Sequence, residues 1–328
     1  MTKNVIVTGG AGYIGSHACK ALLKAGYNPI TLDSLHTGWS DSVKFGPFEK
    51  INLLDINKLN EVFLKFKPCS VMHFAAFSQV DESIREPEIY WRNNFIGSLN
   101  LIETAISHQC FDFVFSSTCA TYGDHDGVML TEKTPQSPIN AYGASKKAVE
   151  EMLFNFSISR GLRYVIFRYF NVAGADPEAE IGEFHKPETH LIPVIFETIT
   201  GRRKFFRIFG TDYKTNDGTC IRDYVHVYDI AEAHILGLKW IKNGGGNKIY
   251  NLGNGRGFSV REVIKCVQEI TNETLPVVEC KRRPGDCTKL VSSSSLAKEE
   301  LGWNPFRSNL NQMIADAWEW HKNGFYAK

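Results

Sequence analysis

The sequence predicts a doubly wound α/β protein, in which helices cover both faces of a parallel sheet and a smaller, loop-rich C-terminal domain follows. Three observations predict it. Short apolar β-branched runs alternate with longer amphipathic ones through the first half, a glycine-rich turn separates the first strand from the first helix, and the rhythm breaks after Asn171. In order, Asn4–Thr8 reads as a strand buried on both faces, Gly12–Ala25 as a helix, Asn28–Leu32 as a strand, Asn57–Phe66 as a helix and Ser70–Phe74 as a strand. A helix from about Tyr90 to His108, a strand at Phe113–Ser117, a helix at Ala141–Arg160 and a strand at Arg163–Phe170 continue the alternation. Strands with no polar face belong to a parallel sheet sandwiched between helices. Beyond Asn171, Pro177, Pro187, Pro193 and the polar stretch Gly210–Gly218 interrupt any such pattern. We therefore divide the chain at 1–170 and 171–328, with the chain free to return to the first sheet near Tyr224–Trp240.

A length of 328 residues gives room for about two domains of roughly 150 residues each. Against 36 Asp+Glu stand 37 Lys+Arg, a formal net charge of +1, so no global field draws the protein to nucleic acid or an anionic membrane. No apolar run approaches the roughly 18 residues of a bilayer span, and MTKNVIVTGG reaches glycine too soon for a signal peptide, which points to a cytoplasmic protein with no membrane partner. The eight cysteines are scattered without a C-x-x-C pair and are expected to be reduced thiols. Ten histidines form no H-E-x-x-H motif, and His226 and His234 lack a supporting carboxylate pattern, so no metal site is expected. A G-x-S-x-G nucleophile elbow is also absent.

Chemistry first appears at Thr8-Gly9-Gly10-Ala11-Gly12-Tyr13-Ile14-Gly15, between the first strand and first helix. Glycines at 9, 12 and 15 permit the tight turn, the close approach of backbone to a pyrophosphate, and close helix-to-strand packing, with the phosphates at the helix N-terminus. Asp33 follows at the end of the second strand, where a carboxylate accepts hydrogen bonds from ribose hydroxyls and repels a 2′-phosphate. This is a Rossmann fingerprint for NAD, preferred to NADP because Ser34-Leu35-His36-Thr37 supplies no Arg or Lys. Ser16 stands where an ATP phosphate loop needs Lys, which removes that reading.

Tyr142 and Lys146 stand at i and i+4 of the helix predicted from Ala141, on one face. A free phenol titrates near 10, and a neighbouring ammonium together with an oxidised nicotinamide favours its phenolate in a partly desolvated cleft. The strand at Phe113–Ser117 delivers Ser116, Ser117 and Thr118 to the carboxyl edge of the sheet, where ligands of this fold bind. Each feature alone also suits an ordinary surface helix or a Ser/Thr turn.

In combination they resemble the extended short-chain dehydrogenase/reductase superfamily. The runs Phe115–Gly123, Arg168–Ala175, Pro187–Pro193, Gly218–His226 and Arg282–Asp286, in order across nearly the whole chain, narrow the resemblance to the UDP-glucose 4-epimerase family. The resemblance implies an isomerase of galactose metabolism that uses NAD to invert C4 of a UDP-hexose through a 4-keto sugar. Tyr142 would be the base, Thr118 its helper, and Lys146 would lower the Tyr142 pKa and hold the nicotinamide ribose. It implies a cofactor site of Gly9, Gly12, Tyr13, Ile14, Gly15, Asp33, Asn52, Leu53, Phe74, Ala75, Ala76, Ser78, Asn93, Ser116, Tyr142, Lys146 and Tyr169. Ser78, Thr118, Tyr142, Asn171, His190, Leu191, Arg207, Arg222, Arg283, Asp286 and Leu290 would line the UDP-sugar site, and a homodimer would form through helices near 90–108 and 141–160. For Arg222 and Arg283 the residues themselves agree, since permanent forked donors suit a diphosphate. Three positions depart from family usage: Asn52 stands where many relatives carry Asp, Ser78 where some carry Lys, and His190 where Asn is usual. Related dehydratases and decarboxylases place acidic side chains just after the catalytic hydroxyl, whereas Cys119 and Ala120 follow Thr118 here. A non-catalytic NAD-binding protein is the alternative of a different class. Which sugar is preferred, plain, N-acetylated or pentose, stays open, with Leu290 the residue expected to decide it.

Overall fold

The computed structural model describes residues 3–125, 127–283 and 286–323, so Pro284 and Gly285 of the Arg282–Asp286 run lie outside the described residues. The first half forms β1 (Asn4–Thr8), α1 (Tyr13–Lys24), β2 (Asn28–Asp33), β3 (Phe48–Lys50), α2 (Ile56–Phe66), β4 (Ser70–His73), the short α3 (Val80–Arg85) and α4 (Pro87–Tyr90), α5 (Gly97–Ser107), β5 (Asp112–Thr118), α6 (Ala141–Arg160) and β6 (Arg163–Tyr169). The second half adds β7 (Asn171–Ala173), α7 (Leu191–Ile199), β8 (Phe206–Phe209), β9 (Ile221–His226), α8 (Val227–Lys242), β10 (Lys248–Leu252), β11 (Gly257–Ser259), α9 (Val260–Thr271), β12 (Val277–Cys280), β13 (Lys289–Leu290), α10 (Ser295–Leu301) and α11 (Leu310–Asn323).

Seven parallel strands build the central sheet in the order β10-β6-β5-β4-β1-β2-β3. Period-two alternation divides the core: Val5 and Val7 pack with Leu22, Ile230 and Leu238 under α1 and α8, while Ile6 packs with Leu59, Leu101 and Leu153 under α2, α5 and α6. Each such side chain contributes about 1.5–3 kcal/mol by leaving water. The doubly wound sheet expected from the sequence is thus present, and its strand order reverses between β1 and β4. Loops at that switch point form the crevice in which such folds bind ligands.

Helix α6 starts where Asn140 accepts a hydrogen bond from the Gly143 N–H (2.8 Å) and stops at Gly161, whose φ of 73° suits glycine. The segment expected as one helix from Tyr90 to His108 instead comprises the end of α4, a π-helical turn at Trp91–Ile96, and α5. The return to the central sheet is made by α8 and β10. Strand β9 belongs to a second sheet, flanked by β11 and β13 and also paired with β7, while β12 and β8 form a separate two-stranded sheet. A third apolar cluster, including Ile195, Phe196, Ile208, Val263, Met313 and Ile314, underlies this half.

Candidate active site

At Gly9 and Gly15 the glycine turn is shaped by contacts that leave no room for side chains. Gly9 has a φ of 71°, and a Cβ there would stand 2.6 Å from the Ala75 nitrogen; one on Gly15 would stand 2.1 Å from the Gly9 carbonyl oxygen. A Cβ on Gly12 would meet only the Gly9 oxygen, at 3.2 Å, so the turn is open on that side. No side chain caps α1, and its first-turn N–H groups adjoin this open side. Asp33 ends β2 and is locked beside the turn, with Oδ2 accepting from the Ala11 N–H (3.0 Å) and Oδ1 from the Leu35 N–H (2.8 Å). Burial raises its pKa, and these two hydrogen bonds oppose the rise.

Across the switch point, the chain after β4 is tied back to β1 as the Phe74 and Ala75 N–H groups donate to the Thr8 oxygen at 3.0 and 3.1 Å. Further along, Asn94 in the π-helical turn clamps Phe77: its Oδ1 accepts from the Phe77 N–H (2.8 Å), and its Nδ2 donates to the Phe77 oxygen (3.0 Å) and to Ser145 Oγ (3.2 Å). The segment Phe74–Ser78, which carries four expected cofactor contacts, is therefore fixed to α6. Asn93 donates to Asn94 Oδ1 (3.0 Å). Leu53 is packed under Gly97, whereas Asn52 is exposed and spends its Oδ1 on the Leu54 N–H at 2.9 Å.

Thr118 is the last residue of β5, and its hydroxyl, which accepts from the Ala120 N–H at 3.1 Å, lies next to the Tyr142 phenol in the first turn of α6. One turn further, Lys146 is buried with its Nζ 4.4 Å from the centre of the Phe115 ring. Burial pushes the Tyr142 phenol up to about 12, with the Thr118 hydroxyl beside it pulling the other way. It pushes Lys146 down to about 7, against the opposing charge of Glu150. The chain's own groups thus keep the proton on the phenol, and the favouring of phenolate expected from the sequence needs the oxidised nicotinamide as well as Lys146.

A third turn of the same helix face carries Glu150, which sequence reasoning missed although Tyr142, Lys146 and Glu150 form an i, i+4, i+8 stripe. Glu150 is buried against Arg168 of β6, whose Nε donates to both carboxylate oxygens at 3.0 and 3.1 Å. It also accepts from Ser117 Oγ, and Arg168 Nη1 donates to Tyr122 Oη (3.0 Å). Ser116 is hydrogen-bonded to Tyr169.

Of the residues expected from the second half, Arg222 and Leu290 reach the neighbourhood of Cys119, next to Thr118. Arg222 of β9 donates through Nη1 to the Cys287 oxygen (2.9 Å) and through Nη2 to Asp286 Oδ1 (3.1 Å), while Arg283 Nε donates to Asp286 Oδ2 (3.2 Å). Burial pushes the Cys119 thiol, next to Thr118, up to about 12, and the nearby Arg222 works against it. Leu290 packs with Tyr122, Leu130, Phe170 and Cys119. Leu191 opens α7, while Asn171, His190 and Arg207 have exposed side chains at the starts of β7 and α7 and on β8. Sequence reasoning also passed over the grouping of His190 with Glu183, His185 and Glu188, because a helical H-E-x-x-H was the pattern sought.

A match to the NAD dependent epimerase/dehydratase family spans residues 5–253. The chain belongs to this family. Among curated members, the UDP-glucose 4-epimerase of Rhizobium meliloti (strain 1021) is 44% identical over 319 residues, covering 97% of each chain. The UDP-glucose 4-epimerase of Brucella ovis in complex with NAD superimposes with a TM-score of 0.94 at 43% identity, over 97% of this chain and 98% of the other. That of Bifidobacterium longum in complex with NAD+ and UDP does so with 0.92 at 32% identity, over 98% and 100%. The cofactor of this NAD dependent epimerase/dehydratase family member is NAD, and the residues fit it. Gly12 leaves the side open that a pyrophosphate needs, α1 offers uncapped donors there, and Asp33 presents a carboxylate at the ribose end of the turn.

Proposed function

We propose that the chain is an isomerase of galactose metabolism that interconverts UDP-glucose and UDP-galactose by inverting C4 through a transient 4-keto sugar. The observation that carries this reading is Thr118 at the end of β5 next to Tyr142, one helical turn from Lys146, in a chain 44% identical to a UDP-glucose 4-epimerase over 97% of its length. Bound NAD supplies a reversible two-electron acceptor for the C4 hydrogen. Tyr142 Oη takes the O4 proton as the alcohol becomes a ketone and returns it when the alcohol re-forms with the hydrogen on the opposite face. Thr118 shares that proton, and protonated Lys146 stabilises the phenolate. Arg207, Arg222 and Arg283 hold the diphosphate, and Asn171, His190, Leu191 and Asp286 line the pocket around it. Dehydration or decarboxylation needs a further free acid or base near the ring, but Cys119 and Ala120 follow Thr118, and Glu150 is bound to Arg168 and Ser117.

We further assign a homodimer formed through the helical segments near 90–108 and 141–160. Trp91 and Ile96 (40% and 42% exposed), with Phe154 and Ile158 (53% and 71%), leave apolar surface on these neighbouring segments that pairing would cover. A cytoplasmic location agrees with the finding that no helix among the described residues is long and apolar enough to cross a membrane. The purified protein, given UDP-glucose and no added NAD, should form UDP-galactose by NMR and release NAD on denaturation. Protein that carries NAD yet converts neither sugar would overturn the assignment. Light scattering should give twice the chain mass.

A further inference from the structure

The segment Glu183–His190, which leads into α7, gathers two carboxylates and two imidazoles in eight consecutive residues. We propose that Glu183, His185, Glu188 and His190 form a structural site for one divalent metal ion of the zinc type. One donor atom from each lies within 4.8 Å of the other three. A tetrahedral zinc site with bonds near 2.0–2.1 Å sets its donors roughly 3.3 Å apart. His185 Nδ1 is already 3.3 Å from Glu188 Oε2 and 3.6 Å from Glu183 Oε1, and His190 Nδ1 is in contact with Glu183 Oε1. Adjustments of about 1 Å within one loop complete the geometry, and the donor set, two nitrogens and two carboxylate oxygens, is one that zinc accepts.

The surroundings supply what a metal site needs. Glu183 and Glu188 are 7% and 4% exposed, and two carboxylates brought together out of water require a nearby positive charge. Lys186, the cation within the segment, faces away, with its Nζ 5.1 Å from the Trp39 ring centre and 5.5 Å from that of Phe184. In the neighbouring acidic trio Asp176, Glu178 and Glu180 the compensating group is Lys20, its Nζ at 2.8, 2.6 and 2.6 Å, whereas Glu183 and Glu188 meet only imidazoles within their segment, and imidazoles are themselves metal ligands. Glu188 is oriented for ligation: its Oε1 accepts from the Thr189 and His190 N–H groups (2.8 and 2.9 Å), while Oε2 faces His185. The loop is anchored from outside by Trp320 Nε1 donating to the Glu183 oxygen (3.2 Å) and Arg203 Nη2 donating to the Glu188 oxygen (2.7 Å). Four protein ligands would close the site, so its role is to fix the loop that carries His190 and Leu191 into α7.

The test is metal uptake by the full-length protein with its dinucleotide bound. After chelator treatment and dialysis against zinc, elemental analysis should find one zinc per chain, and cobalt(II) in its place should give the intense visible absorption of a tetrahedral centre. His185→Asn and Glu188→Gln should each weaken cobalt binding at least about 100-fold. X-ray absorption of the zinc-loaded wild type, which needs no variant to fold, should show imidazole and oxygen scattering only. No retained metal, unchanged binding in a folded His185→Asn variant, or sulfur in the zinc shell would each overturn the site, leaving a cluster of histidines paired with carboxylates.

Discussion

A phenol held near 12 is a poor base at neutral pH, so the role proposed for Tyr142 requires positive charge brought close to it when the site is loaded. Lys146, held near 7 by burial, is poised to accept a proton as soon as a phenolate forms beside it. Two outcomes follow at these residues. Tyr142→Phe removes one oxygen at nearly constant volume, so the melting temperature should hardly change while turnover falls by about 10² to 10⁴. Near wild-type turnover would remove Tyr142 from the chemistry. Lys146→Met removes the ammonium that favours phenolate, which raises the Tyr142 pKa; the rate, rising with pH as the base loses its proton, should therefore have its acid limb moved to higher pH. An unmoved limb in a pH–kcat profile would contradict the pairing.

At the scale of elements, α6 shows why part of the site was legible from sequence and part was not. Its limits at Ala141 and Arg160 are written locally, in Asn140 as a cap and Gly161 as a stop, and the Tyr142–Lys146 pair is a spacing within one helix. Glu150 follows the same spacing, but its partner Arg168 lies across a strand pairing, and nothing local announces that meeting. The π-helical turn at Trp91–Ile96 was hidden for a similar reason: one widened turn barely disturbs an apolar pattern, yet it aims Asn94 at Phe77. The buried Glu150–Arg168 pair predicts a stability effect. Arg168→Met leaves a buried carboxylate without its partner and should cost roughly 3–5 kcal/mol in urea unfolding, whereas Glu150→Leu combined with Arg168→Met should recover much of the loss. Equal stability of Arg168→Met and wild type would mean that water already screens the pair.

At the scale of the whole molecule, the proposed sugar pocket would be assembled from segments far apart in sequence. The short strands β8, β11, β12 and β13 carry too few residues to show a pattern, and their pairing is decided by distant partners; Leu290 is placed by its register opposite Arg222 of β9. There it packs, as Cys119 does, against Tyr122, Leu130 and Phe170, so in the proposed site a wall from the end of the chain would stand near Thr118 from its middle. The keto sugar must turn over against that wall to present its other face. A 2-acetamido group sweeps several more heavy atoms through the same arc, and forcing them into packed side chains costs of order 1–3 kcal/mol, which is roughly a 5- to 150-fold preference for the plain sugars. Leu290→Ser shortens the wall without touching Tyr142 or Lys146, so it should raise kcat/KM for the N-acetylated pair and leave that for UDP-glucose within a few-fold. Product NMR on both pairs, for wild type and variant, measures the ratio directly. Equal use of both pairs by wild type, with no change in the ratio on shortening Leu290, would move the control of specificity to another wall.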